Sequence, residues 1–579
     1  MQEQKLTGYP SIDKPWLKYY SEEAINAPLP ECTIYEYLWE NNKDHFDDVA
    51  LNYFDRKITY GELFDNIEKA ARGFYSIGVK AGDIVVMATV TTPETIYAFY
   101  GLNRLGAISN MVDPRTSTEG IKHYISEVDA KLVLTIDAAL PKIEKAIIGT
   151  NVQRIIVVSP ADSLPQPKNA LFLLSNKLKG TTPKLSEQCI NWTDFIITGK
   201  DKTPTYSPYK KNTCCVIVHT GGTTGTPKGV MLSNENLNAS TVQCDLSGFD
   251  FQRKHKWLGV MPPFIAYGIG NGLHLPLCKG MVLIVLPKFD PAKYDRLLLK
   301  YKPNHIAGVP SHYNTIVHSH RMKKQDLSFL LSPIVGGDGT EVHFEETVSQ
   351  FLRSHNCHSG LIKGYGMTEI CAAVCATAQK DYNKVGCIGI PFTHSVVAVF
   401  NPDTGEELGY NQEGEICMQG PHIMLGYYGN PNETQQMLKK HTGNQLWLHS
   451  GDLGSIDEDG CIYIKGRLKR MIIRSDGFKV FPSVIETVIL KNPYVSACCT
   501  VGMRDKSNSQ GQLPLAFVVL NEQCDKTTAK EELLDLCKTE LPEYAQPVDF
   551  VFVDSLPLTP IGKIDYRALE KQAEEMSKK

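Results

Sequence analysis

Across residues 59–158 the chain alternates two hydrophobic periods, and that alternation excludes most folds. "ITYGELFDNIEKAARGFYSIG" opens on Thr59 and Glu62, the spacing of a capping box, and then sets Leu63, Ile67, Ala70, Ala71 and Phe74 on one helical face. "GDIVVMATV" follows as a near-continuous apolar run, as expected of a strand covered on both faces. The alternation continues through "TPETIYAFYGLNRLGAI" and "GIKHYISEVDA", whose Ile121, Tyr124, Ile125 and Val128 share a face, to the strands "KLVLTI" and "RIIVVS". Helices interleaved with such strands predict α/β layers around largely parallel sheets. At 579 residues the chain is too long for one core, so several subdomains are expected.

Residues 166–205 are rich in Pro, Lys and Ser and are expected to run over the surface. Near residue 400 the character changes. "VVAVFNPDTGEELGYNQEGEICMQG" reads as antiparallel strands with turns at 403–405 and 413–414. After "KGRLKR" a mixed segment remains, of about the hundred residues that a small domain needs. The expected organisation is a large N-terminal domain over 1–466, built of layered α/β subdomains with a β-rich subdomain near 390–465. A small mobile α+β domain follows over 467–579.

Composition narrows the partners. With 42% hydrophobic and 21% charged residues the chain is an ordinary folded protein, and its net charge of −4 gives no electrostatic case for nucleic acid or anionic membrane as the main partner. "MQEQKLTGYPSIDKPW" lacks the basic-then-apolar pattern of a secretory leader, and no apolar run approaches a membrane span. A cytoplasmic protein without integral membrane contact is the expectation. The 16 cysteines include no C-x-x-C pair, so buried reduced thiols are expected rather than a disulfide framework or zinc site. His355, Cys357 and His358 lie close together, but nothing completes a ligand set, and they are read as structural.

The stretch "HTGGTTGTPKGV" at 219–230 holds four glycines and four threonines, too many for a helix or strand interior. "TCCVIVH" before it reads as a buried strand. "MLSNENLNA" after it offers Ser233 as an N-cap and Glu235 in a first helical turn. Strand, glycine-rich loop, helix is a layout that aims N–H groups at an anion. It is not an ordinary P-loop: Thr226 and Pro227 separate Gly225 from Lys228, and Gly229 stands where a hydroxyl is required.

Four further segments follow in order. "GYGMTE" at 364–369 combines an aromatic, a hydroxyl and a carboxylate, and "HSGDLG" carries Asp452. "GRLKRMIIRSDGFKVFP" carries Arg467 and Lys469, and "PLTPIGKIDY" presents Lys563 on a Pro/Gly-framed loop. Each alone reads equally well as a turn or a solvated charge. Together, in this order and spacing, they resemble the adenylate-forming (AMP-binding) superfamily, in its acyl-CoA synthetase branch, over about residues 33–569.

That resemblance implies a reaction in which a carboxylate attacks the α-phosphate of ATP, releasing pyrophosphate, and a thiol then displaces AMP. A carboxylate approaching a polyanion is repelled, so such a site needs positive charge and oriented donors rather than a general base. The resemblance assigns ATP binding to Thr220, Gly222, Thr223, Thr224, Gly225, Thr226 and Lys228, with Thr223, Thr224, Gly225 and Lys228 on the β- and γ-phosphates. It assigns Gly336, Gly337 and Asp338 of "VGGDG" to the adenine edge, with Gly364, Tyr365 and Gly366 beside them and Tyr365 stacked on the base. Asp452 and Arg467 would fix the ribose. Thr368 would bond the α-phosphate, Glu369 would carry Mg²⁺, and Lys563 would bridge substrate carboxylate and α-phosphate. Lys469 falls at the hinge about which the C-terminal domain rotates between half-reactions. Gly477, Phe478 and Lys479 would line the path of CoA. Ile265, Ala266, Tyr267, Ile269, Gly364, Ala372 and Ala373 would form the acid pocket.

Three departures from the family pattern bear on this. Gly221 stands where the family usually has Ser, and Arg470 replaces an acidic residue after the hinge lysine. Ile265 stands where many relatives have His and amino-acid-activating domains have Asp, so a buried ammonium would lack its partner and α-amino acids are disfavoured. The expected activity is an ATP- and Mg²⁺-dependent ligation of CoA to an apolar acid, fatty or aromatic. The rivals are an acyl-AMP ligase that loads the phosphopantetheine of an acyl carrier protein, and a nucleotide-binding sensor without catalysis.

Lys563→Ala should lower adenylation by roughly 10² or more, the scale for losing one transition-state charge contact, with nucleotide binding near normal. Thioester formation from supplied acyl-adenylate should suffer far less. Equal loss in both half-reactions would assign Lys563 a different role.

Overall fold

The computed structural model describes every residue except 1–5, 180–184, 221–226, 341, 379–383, 442–444, 476–477, 506–510, 522–524, 560–563 and 578–579. The alternating periods build two large sheets. In the eight-stranded sheet, Cys214–His219, Ile108–Val112, Ile84–Ala88, Leu132–Ile136, Arg154–Val158 and Cys189–Asn191 run parallel, with Gly229–Ser233 and Gly426–Tyr427 antiparallel at one edge. The nine-stranded sheet is parallel through Val49–Tyr53, Val282–Val285, Lys256–Gly259, His305–Gly308, Ser332–Val335 and Ile362–Tyr365.

Local chemistry places the helices between and over these sheets. Thr59 and Glu62 exchange both bonds of the capping box, and the helix Tyr60–Ser76 buries Leu63, Ile67, Ala70, Ala71 and Phe74 completely. The helix Pro93–Arg104 is buried from Pro93 through Asn103, as an all-round apolar helix must be. Asn42, Asn103, Asn234, Asn236 and Asn238 sit at helix junctions and satisfy backbone or neighbouring amide groups there, which ties the helix Asn234–Asp245 to Asn103 and to the loops at Cys32 and Pro421.

The β-rich subdomain is a five-stranded antiparallel sheet of Val396–Phe400, Gly414–Gln419, Leu446–Ile456, Leu438–Lys440 and Ile462–Arg467. Beyond it, Val495–Arg504, Gln512–Leu520 and Asp549–Phe552 form a three-stranded sheet. Its apolar faces pack with Ile472, Val480, Ile485 and Leu533 on one side and with Tyr566 and Leu569 on the other. The chain is therefore α/β with a large N-terminal part and a smaller α+β C-terminal part.

Two expectations need correction. Residues 166–205 do not simply cover the surface: the helix Trp192–Thr198 buries Trp192 and Phe195, and Phe195 fills the space above Gly73. The glycine-rich loop does not lead directly into a helix. Gly229–Ser233 is a strand, because its "GVML" pairs antiparallel with Cys214–His219, and only then does Ser233 cap Asn234–Asp245 through Asn236. The helix terminus is thus displaced from the loop by a whole strand. Among the described residues fifteen cysteines are free thiols, and no described helix is long and apolar enough to cross a membrane.

One buried acid has a consequence for stability. Glu94 is 2% exposed, receives a hydrogen bond from Ser163 Oγ, and is pushed by burial up to about 7. Between its ordinary value of 4.5 and about 7 the unfolded chain has released this proton and the folded chain retains it. Folding stability attributable to Glu94 therefore falls as pH rises through that interval. Glu94→Gln abolishes the titration, so its urea midpoint relative to the parent should climb over the same interval. A difference independent of pH would show that Glu94 ionises as freely folded as unfolded.

Candidate active site

Two parallel strands end side by side and supply much of the site's backbone. Ser332–Val335 runs on into Gly336, Gly337 and Asp338, and Ile362–Tyr365 runs on into Gly366, with Val335 beside Lys363. Where the loops after parallel strands diverge, a crevice opens at their carboxyl ends. The strand Ile362–Tyr365 is anchored from below by a buried pair, Lys363 Nζ to Glu345 Oε2 at 2.5 Å, with both side chains less than a tenth exposed. Removing either partner would strand the other charge in the interior.

Backbone approaches in this crevice leave no room for side chains. A Cβ on Gly336 would lie 2.9 Å from the Gly364 carbonyl oxygen and 3.8 Å from Tyr267 Oη. A Cβ on Gly366 would lie 1.6 Å from the Ala372 carbonyl oxygen. Ala372 has φ 115° and Cys371 φ 55°, conformations that L-residues hold only where the surroundings enforce them.

Tyr365 and Asp452 meet at the same place. Tyr365 Oη donates to Asp452 Oδ2 at 2.6 Å, and Arg467 Nε lies 2.9 Å from Oδ1, opposite Asp452 across the ladder of Leu446–Ile456 and Ile462–Arg467. Asp452 is 3% exposed. Burial first, and then the adjacent Asp452 charge, hold the Tyr365 phenol well above its ordinary pKa. Behind Asp452 runs a second buried chain: Glu415 receives His449 Nδ1 at 2.7 Å and the Gly451 N–H at 2.9 Å, while His449 Nε2 meets His441 Nε2 at 2.8 Å. Glu415, Cys417 and His449 are close enough to hold an ion, but their hydrogen bonds already account for the carboxylate and for both ring nitrogens of His449.

Glu369 sits in the tight turn Thr368–Ile370, with Thr368 half-buried beside it. It is 5% exposed, and Tyr427 Oη donates to its Oε1 at 2.7 Å. Burial raises its carboxyl above the ordinary value, opposed by Tyr427 and by the charges of Arg467 and Lys228. The strand Gly426–Tyr427 pairs with Gly229–Ser233, so Tyr427 links Glu369 to the neck of the glycine-rich loop. There the Lys228 N–H donates to Thr220 Oγ1 at 3.1 Å and the Thr220 N–H to the Lys228 carbonyl at 3.0 Å. Lys228 Nζ pairs with Glu433 and lies 4.8 Å from the Tyr427 ring centre.

The residues expected to form the acid pocket lie next to the turn Thr368–Ile370. Tyr267 opens a π-helical turn, Tyr267–His274, preceded by half-buried Ile265 and buried Ala266. Ile269 is fully buried, Ala373 packs against the same core, and a Cβ on Gly270 would touch the Cys371 carbonyl. Tyr267 Oη is buried without a hydrogen-bond partner among the described residues. Gly336 is buried, whereas Gly337, with φ 82°, and Asp338 are exposed.

Gly222, Thr223, Thr224, Gly225, Thr226, Gly477 and Lys563 lie outside the described residues, as does the side chain of Lys479. Phe478 is half exposed and stacks on Tyr544 at 4.5 Å. Lys469 is exposed within the turn Leu468–Arg470. Arg470 Nη2 donates to Glu486 Oε1 at 2.5 Å and to the Thr500 carbonyl at 3.2 Å, which gives the departure at this position a structural role. Sequence reading passed over Tyr427, Glu433, Glu415 and His449. The first two sit in "GYYGNPNE", a stretch that signals only a turn.

The model of the AMP-binding enzyme family matches residues 38–428, and that of the AMP-binding enzyme C-terminal domain matches residues 484–563. A long-chain-fatty-acid–CoA ligase of Bacillus subtilis is 30% identical over 570 residues, covering 97% of this chain and 98% of that protein. A 4-coumarate–CoA ligase of Petroselinum crispum is 30% identical over 515 residues, covering 88% and 87%. Among solved structures, an anthranilate CoA ligase in complex with anthranoyl-AMP superposes with TM-score 0.79 at 20% identity, covering 95% of this chain and 99% of its own. ATP-bound MatB from Rhodopseudomonas palustris superposes with TM-score 0.80 at 21% identity, covering 94% and 99%. These two share the fold.

Gly366→Ala should destabilise the protein by about 1–3 kcal/mol, the usual cost of overpacking, because the new methyl meets backbone that is already held at φ 115°. Thermal melts read the loss. An unchanged melting temperature would mean that the Ala372 turn yields freely.

Proposed function

Because the chain belongs to the AMP-binding enzyme family, in its acyl-CoA synthetase branch, we propose that it is an ATP- and Mg²⁺-dependent carboxylate–CoA ligase for an apolar acid, fatty or aromatic. The observation that carries the reading is the convergence of Tyr365, Asp452 and Arg467 on one crevice, with buried Glu369 beside it and an apolar wall opposite. The relatives named for a long-chain fatty acid and for 4-coumarate both take acids with apolar bodies. Ile265, Ala266, Ile269, Ala372 and Ala373 suit such a body, and Gly364 leaves it room.

In this reading Asp452 accepts the ribose hydroxyls while Arg467 and Tyr365 hold its carboxylate in place, and the Tyr365 ring stacks on adenine. Gly336, Gly337 and Asp338 border the base. Lys228 exchanges Glu433 for the β- and γ-phosphates, which oriented donors from Thr220 and residues 222–226 also grip. Thr368 bonds the α-phosphate. Glu369 fits Mg²⁺: it is a buried hard-oxygen ligand with one oxygen held by Tyr427, and a single carboxylate plus phosphates is a common Mg²⁺ environment. The ion, when bound, neutralises phosphate charge. Lys563 supplies positive charge where the carboxylate approaches the α-phosphate. Gly477, Phe478 and Lys479 belong to the CoA path.

The two-domain division at 466–467 and the hinge at Lys469 complete the proposal. Arg467 is paired with Asp452 on the N-terminal side, Arg470 with Glu486 on the C-terminal side, and exposed Lys469 lies between them. Rotation about Lys469 would leave the Arg467–Asp452 pair, which precedes it in the chain, and the Arg470–Glu486 pair, which follows it, each intact.

The decisive experiment is a pyrophosphate-release screen over a panel of fatty and aromatic acids, with CoA, with a phosphopantetheinylated carrier protein, and with neither. Acyl-CoA formation on an apolar acid supports the proposal. Product only on the carrier would favour the carrier-loading ligase, and silence with every acid would favour a sensor.

Glu369→Gln keeps the size but removes the anionic ligand, so the Mg²⁺ concentration needed for half-maximal pyrophosphate exchange should rise. An unchanged Mg²⁺ dependence removes Glu369 from the metal site. Lys469→Pro fixes φ near about −65° and should trap one pose, sparing one half-reaction and suppressing the other. Pyrophosphate exchange and thioester production, measured on one preparation, separate the two. If both persist, the hinge lies elsewhere.

A further inference from the structure

The helix Lys168–Lys179, at the far edge of the eight-stranded sheet between Arg154–Val158 and Cys189–Asn191, carries an apolar face that is left exposed among the described residues. Leu171, Leu174 and Leu178 are 63%, 53% and 79% exposed. At about 100° per residue these three fall within a stripe about 60° wide. Lys177 and Lys179, both exposed, flank it on either side, about 100° from Leu178. Neither lysine is in an ion pair among the described residues. The N-terminal end is fastened to the body: Lys168 Nζ donates to the Phe54 carbonyl and Asp55, and Asn169 Nδ2 to the Ala161 carbonyl. The helix is thus held at one end with its leucines outward.

Exposed leucines one by one are unremarkable, but three in a stripe on one helix are a contact surface. The charge around them identifies the partner. Residues 163–186 contain four lysines and no acidic residue, in a chain whose net charge is −4. An apolar stripe bordered by lysines is the pattern of a helix lying in a bilayer interface, with leucines among the acyl chains and the lysine stems reaching up to anionic headgroups. A second copy of this chain would bring the same lysines together, with no acid in the segment to meet them. We propose that Leu171, Leu174 and Leu178, with Lys177 and Lys179, dock this protein reversibly on an anionic lipid surface. The whole-chain charge conceals this patch, which is why composition alone pointed away from membranes. The proposal is independent of the acid substrate.

The test is co-sedimentation with vesicles of phosphatidylcholine, with and without phosphatidylserine. The full-length protein should pellet with the serine-containing vesicles, less with phosphatidylcholine alone, and less in high salt. L171D/L174D/L178D should stay in the supernatant while keeping its circular dichroism and melting temperature. K177E/K179E should lose at least tenfold in affinity for the anionic vesicles and approach the parent's binding to neutral ones. Failure of the parent to bind either vesicle overturns the proposal, as does binding by both variants that matches the parent's. A concentration-dependent dimer in light scattering that the leucine variant abolishes would reassign the stripe to self-association.

Discussion

A carboxylate with 3% exposure has to be compensated, and the arrangement around Asp452 follows from that requirement. Left alone in the interior it would cost several kcal/mol. The Tyr365 hydroxyl and the Arg467 guanidinium compensate it from opposite sides. Tyr365 ends a strand of the nine-stranded sheet, Asp452 belongs to the β-rich sheet, and Arg467 ends the last strand before the C-terminal part. The hydrogen bond therefore ties the nine-stranded sheet to the β-rich sheet, and the ion pair joins two neighbouring strands of the latter. The chain from Glu415 through His449 to His441 supports the same strand from behind and fixes Gly451 just before Asp452.

Two other charged groups beside this network have protein partners. Lys228 is neutralised by Glu433, and Glu369 is held by Tyr427 while burial works against its ionisation. Such pairing keeps the side chains aimed while limiting the cost of assembling charge before a ligand arrives. Glu433 is partly exposed, so solvent screens its pairing with Lys228. A divalent cation would favour the ionised form of Glu369 and so offset the burial that disfavours it.

Backbone strain marks the same place. Cys371 and Ala372 hold left-handed conformations directly after the turn that carries Glu369, and Gly366 allows the Ala372 carbonyl to close on it. The π-helical turn starting at Tyr267 packs against them, with Gly270 against the Cys371 carbonyl. Irregular backbone of this kind persists where packing over-determines it, and it concentrates at functional sites.

Much of the fold was legible in the residues because its information is local. Capping at Thr59, the face of Leu63 through Phe74, and the apolar runs from 84 to 158 each dictate an element without reference to distant chain. The resemblance in "GYGMTE", "HSGDLG" and "GRLKR" likewise named Tyr365, Asp452 and Arg467, whose meeting in one network only folding could bring about. What stayed hidden depended on pairing across long separations. "GVMLS" reads as a helix approach until Cys214–His219 lies alongside it and makes it a strand. Tyr427 and Glu433 carry no local signal, and they acquire roles only because Gly426–Tyr427 joins the sheet edge beside Gly229–Ser233. The leucine stripe at 171–178 has the period of a buried face, and only the tertiary structure leaves it facing outward. Residues by themselves determined which segments form helices and strands and which chemical groups were on hand. The packing of sheet edges decided which of those groups meet, because hydrogen bonds and ion pairs act over a few ångströms and chain order does not set such distances.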